Sequence, residues 1–90
     1  MSEKLALALA RIISAPPKTD PTLRARRRVA IELHDKALLV AAIQDLLAAA
    51  TREAKPGLEA CLAGELKHCE ALGDRLVQLG GIMEGQATLH

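Results

Sequence analysis

Between Ala37 and Ala50 the chain reads ALLVAAIQDLLAAA, and only Gln44 and Asp45 break a run that is otherwise apolar. A surface helix keeps one face polar, so a helix apolar on nearly every side has to be covered by partners on more than one side. The run therefore predicts a core helix. A bilayer span needs about 20 consecutive apolar residues. This run is shorter than that and holds an aspartate, so it predicts no membrane segment.

The rest of the chain must supply the cover, and its size limits how. Ninety residues make one domain, and a chain of this length buries only about 60–65% of its unfolded surface. Phe, Tyr and Trp are absent, so Leu, Ala, Ile and Val fill the core and let helices approach closely, with little buried area per residue. Half of the residues are hydrophobic, more than one small core requires. This excess predicts burial between chains, in a homo-oligomer or against a helical protein partner. The net charge of +1 gives no overall field to draw nucleic acid or acidic lipid.

The opening MSEKLALALARIISAPP places Glu3 where a leader would be purely basic and lacks a typical cleavage site, so it reads as a helix. Ser2 is its expected cap, and Leu5, Leu9, Ile12 and Ile13 have helical spacing. This gives a short N-terminal helix over 1–14, stopped by Pro16-Pro17. The stiff linker 15–19 leaves that helix as an arm that swings freely or packs on a neighbouring chain. Asp20-Pro21 is a start signal, an N-cap followed by proline in the first turn. A helical hairpin is expected over 20–79, with helices at about 21–54 and 57–79, turned by Lys55-Pro56-Gly57. Gly80-Gly81 ends the second helix, and 80–90 is expected as a flexible tail. The fold class is all-α: an antiparallel hairpin with a short N-terminal helix, completed into a bundle by oligomerisation or a partner.

At about 100° per residue, Val29, Leu33, Leu39, Val40, Ile43, Leu46 and Leu47 share one broad arc, the expected core face. Ile31 and Leu38 form a stripe on the far side, where another chain or the first helix can dock. On the second hairpin helix Leu58, Cys61, Leu62, Cys69, Leu72, Leu76 and Leu79 are expected inside. Cys61 and Cys69 lie about 12 Å apart along one helix, too far to bridge. They read as free thiols of a cytoplasmic protein.

Glu65 falls within the expected apolar arc, flanked by Cys61, His68 and Cys69. A carboxylate in a leucine-lined seam has to be paired, hydrogen-bonded or bound to metal. The ordinary reading is a polar layer that fixes register between helices. Cysteine, glutamate and histidine could also suit a transition metal such as Zn, Fe or Cu. With the turn near Lys55, helix rise sets Glu65 level with Gln44, its expected hydrogen-bond partner, and Glu32 level with Val77. Glu32 then pairs with Lys36 one turn away. Arg24, Arg26, Arg27 and Arg28 crowd the first turns of the long helix, where cations oppose the helix dipole. Pairing of Arg28 with Glu32 explains one of them. Together with Ile31 and Leu38, Arg24, Arg27 and Arg28 form the candidate partner-binding set. Nucleic acid is the weaker alternative for these arginines, without aromatics or a second basic stripe.

Glu32 on one helix and Glu65-x-x-His68 on the next resemble half of a ferritin-like or rubrerythrin-like bundle over Arg28 to Leu79. That resemblance implies a metal-binding four-helix bundle made from two copies, with Glu65, His68 and Glu32 as ligands. In size and shape the chain also resembles the small helical-hairpin co-chaperones of bacterial secretion systems. The sequence holds no serine–histidine–acid set and no glycine-rich phosphate loop, so an enzyme is the less favoured class. The leading expectation is a protein-binding module acting as adaptor, chaperone-like or regulatory subunit.

Overall fold

A computed structural model describes residues 3–15 and 20–83 of the chain. Those residues form α1 (Glu3–Ser14), α2 (Pro21–Ala48) and α3 (Lys55–Gln78), with no strand among them. No helix among the described residues is long and apolar enough to cross a membrane. The expected Ser2 cap, the Pro16-Pro17 stop and the tail from residue 84 onward lie outside the described residues.

The Asp20 side chain accepts a hydrogen bond from the Thr22 amide at 2.8 Å, with Pro21 at the start of α2. This satisfies one of the helix's unpaired N–H groups. The other end differs from the sequence expectation, because α2 stops at Ala48 rather than near residue 54. The amides of Ala49 and Ala50 tighten onto Leu46 and Leu47. A separate turn then begins at Thr51, whose hydroxyl and carbonyl both accept from the Ala54 amide. That turn leads into α3, with Pro56 in its first turn. At the far end Gly80 adopts φ +74°, a left-handed conformation that favours glycine. The amides of Gly80 and Gly81 bond back to Val77 and Leu76 at 3.0 and 2.9 Å, closing the helix in a Schellman arrangement.

Three cross-helix contacts set the hairpin register: Arg26 with Leu79, Glu32 with His68, and Lys36 with Glu65. Positions rise along α2 as they fall along α3, so the pair is antiparallel. The facing residues lie about two turns from the expected ones, since α2 ends six residues earlier and α3 begins two residues earlier. Glu65 is therefore level with Lys36, not Gln44, and Glu32 with His68, not Val77.

The main core joins Leu5 and Leu9 of α1, Ala30, Leu33 and Val40 of α2, Cys69, Leu72 and Leu76 of α3, and Ile82 beyond it. The first helix is thus docked on its own hairpin rather than swinging free. Its Ile12 lies beside the Gly81 turn, where an added Cβ would come 3.4 Å from Ile12 Cδ1. Ile82, expected in a flexible tail, is buried in this core.

On α2 the buried line is Ala30, Leu33, Ala37, Val40 and Ile43, spaced by three and four residues. Leu39 and Leu46, assigned by sequence to the core arc, are 42% and 58% exposed. Gln44 is exposed as well. The apolar run 37–50 is accordingly covered on one side only within the chain. The molecule measures 50 × 21 × 20 Å. A 28-residue α2 is about 42 Å long and a 12-residue α1 about 18 Å. α1 therefore covers less than half of the hairpin.

Candidate functional site

Two regions gather the residues singled out by sequence. The first is a polar cluster across the hairpin. Lys36 and Glu65 are held near each other by the buried line on either side, Leu33 and Val40 on α2 and Cys69 on α3. Lys36 Nζ stands 3.0 Å from Glu65 Oε2. Glu65 Oε2 is itself buried, with the Lys36 ammonium as its charged neighbour. That close contact keeps the Lys36 ammonium above its ordinary 10.5, with burial pulling the other way and Glu32 adding to the rise.

One turn along, His68 Nε2 lies 3.6 Å from Glu32 Oε1, both half-exposed. Lys36 and Arg28, the expected partners of Glu32, are not its ion-pair partners. Beneath the cluster Cys69 is a buried free thiol, pushed above 9.0 by burial and by Glu65, with Lys36 opposing.

Glu32, Lys36, Glu65 and His68 thus meet within one chain, which the expected register excluded. The cation beside Glu65 in the single chain is the Lys36 ammonium, and Cys61 is exposed rather than inside. Among the described residues, no three or more of His, Cys, Asp and Glu are grouped to hold a metal ion. In the single chain the cluster consists of two cross-helix pairs, Lys36 with Glu65 and His68 with Glu32.

The second region is the outward face of α2. Arg24, Arg27, Arg28, Ile31 and Leu38 are all exposed and fall within about 100° of arc. Sequence reasoning missed two further members, Leu39 and Leu46, because the arc drawn for the core was too wide. Ile31 is 39% and Leu38 56% exposed. Together with Leu39 and Leu46 they form an apolar middle between a basic N-terminal end and Asp45.

Arg26 leaves its neighbours and turns inward. Its guanidinium Nε–H donates to the Leu79 carbonyl, at the C-terminus of α3. A cation is favoured there by the helix dipole and satisfies an unpaired carbonyl. One arginine of the cluster is therefore structural, a role hidden from local spacing because its partner lies 53 residues away.

Comparison with protein-family models, with curated proteins and with solved structures gives no match to this chain.

Proposed function

We propose that the chain is a small helical protein-binding module, an adaptor, chaperone-like or regulatory subunit, whose contact surface is the outward face of α2. One observation carries this reading. Four large apolar side chains, Ile31, Leu38, Leu39 and Leu46, stand between 39% and 58% exposed along one helix, with Asp35 between them and Asp45 at the edge. Apolar side chains scattered singly over a surface need no explanation, whereas a contiguous patch with a polar rim marks an interaction site. Helical spacing of the anchors suits another helix laid alongside. The cross-hairpin polar layer then has a supporting role, holding α2 and α3 in one register so that the face stays fixed. The expected setting is the cytoplasm, where thiols such as Cys61 and Cys69 remain reduced.

The test is photo-cross-linking in cells from an unnatural residue at position 38, with position 59 on the exposed side of α3 as control. Protein adducts from position 38 and none from position 59 are expected. No adduct at 38, or equal adducts at both, contradicts the reading.

A further inference from the structure

The large exposed apolar residues of the α2 face are placed at 31, 38, 39 and 46. They are symmetric about the point between Leu38 and Leu39, with Ile31 and Leu46 equally far from it. A face with that pattern is complementary to itself, as an isologous two-fold contact requires. We infer that the occupant of this face is a second copy of the chain, with α2 packed antiparallel on α2 about a two-fold axis at Leu38–Leu39. The inference rests on the proposed contact role of the face and names the partner.

In that arrangement Ile31 lies beside the second copy's Leu46, and Leu38 beside its Leu39. Asp35, which points outward between them, lies level with the second copy's Ala42 and has His34 Nδ1 3.5 Å from its carboxylate as a partner. Charge selects the direction. Parallel pairing would set Arg24, Arg27 and Arg28 against their own copies and Asp35 against Asp35. Antiparallel pairing places each Arg27 about 17 Å along the helix from the axis. The two basic ends are then about 35 Å apart, several times the screening length of about 8 Å at physiological salt. With a net charge of only +1 per chain, overall repulsion between copies is small. α1 packs against Ala30 and Leu33 on the opposite side of α2, so it does not obstruct the contact. The two copies of the 37–50 run then cover each other's second side, as its composition demands.

Sedimentation equilibrium of the purified chain is expected to give twice 9.6 kDa, and Leu38→Glu a single-chain mass with helical circular dichroism kept. Leu46→Glu makes the same test if Leu38→Glu loses helicity. A single-chain wild-type mass at all concentrations overturns the inference. If position 38 then still cross-links a different polypeptide, the contact role of the face stands without it. Direction is read by spin labels placed singly at Ala41 and at Arg27 in a Cys61→Ser, Cys69→Ala background. The Arg27 pair is expected to be about 20 Å farther apart than the Ala41 pair; equal distances overturn the antiparallel arrangement.

Discussion

The two halves of the hairpin are built from the same kinds of residue and end in different states. Near the start of α2 and the end of α3, a third helix lies across the pair, and Leu5, Leu9, Ala30 and Leu76 are fully buried. Toward the 49–54 turn no third helix reaches. There Ala37, Val40 and Ile43 are the buried residues, none of them fully, Leu47, Leu58 and Leu62 are half-buried, and Leu46 is exposed. Two helices alone offer each other one stripe apiece, and residues beside that stripe keep contact with water. α1 supplies what the first half has and the second lacks. Coverage, more than composition, decides which leucines form a core in a chain without aromatic residues.

The sharpest way to break this comparison is to truncate one leucine in each half. Leu76→Ala is expected to cost about 2–5 kcal/mol, read from chemical denaturation. Leu58→Ala is expected to cost about 1 kcal/mol or less, in proportion to its smaller burial. Equal costs would show that the uncovered half is packed as well as the covered one.

Smaller effects test the device that closes the covered half. Arg26→Ala removes a donor from the Leu79 carbonyl and is expected to lose about 1 kcal/mol. Gly80→Ala forces a side chain into a left-handed backbone at φ +74° and toward Arg26 Nη2 at 2.9 Å. It is expected to lose at least about 1 kcal/mol. If either leaves the unfolding midpoint unchanged, the α3 terminus does not contribute to the contrast.

The smallest effect lies near the boundary between the halves, where the two raised groups sit. Burial keeps the Cys69 thiol above 9.0, so the folded chain holds that proton more tightly than the unfolded chain. Stability then declines as pH rises from 9.0 through the raised value. Lys36 is raised above 10.5 by Glu65, so its contribution is complete below 10.5 and is lost at higher pH. The unfolding temperature is expected to fall above pH 9, less steeply in Cys69→Ala at first and in Lys36→Met further up. In the folded protein, a thiol reagent is expected to label Cys61 quickly and Cys69 only on unfolding.

How far these features were legible in the sequence depends on whether the signal was local. Asp20-Pro21 and Gly80-Gly81 marked helix ends through backbone chemistry that acts within a few residues, and the structure places both ends there. The end of α2 was not legible, because AAATREAK contains no glycine or proline to break a helix. Thr51, able to cap the turn after it, was the one available signal. Missing it moved the register by two turns, so the neighbours of Glu65 and Glu32 were misassigned. Arg26 and Ile82 depend on contacts across the fold, which no local pattern encodes. The outward face was half legible: Ile31 and Leu38 stood apart on the helix wheel, while Leu39 and Leu46 needed the observed position of α3.

The central claim, that the outward face of α2 is covered in solution, has an internal reference in the molecule. Leu7 on α1 and Leu38 on α2 are each 56% exposed in the single chain. Hydroxyl-radical footprinting of the purified protein should therefore oxidise them at the same rate if the chain stands alone. The account predicts that Leu38, with Leu46, is modified several-fold more slowly than Leu7, and that Leu38 recovers the Leu7 rate in Leu46→Glu. Equal rates at Leu7 and Leu38 in the wild-type chain would contradict it.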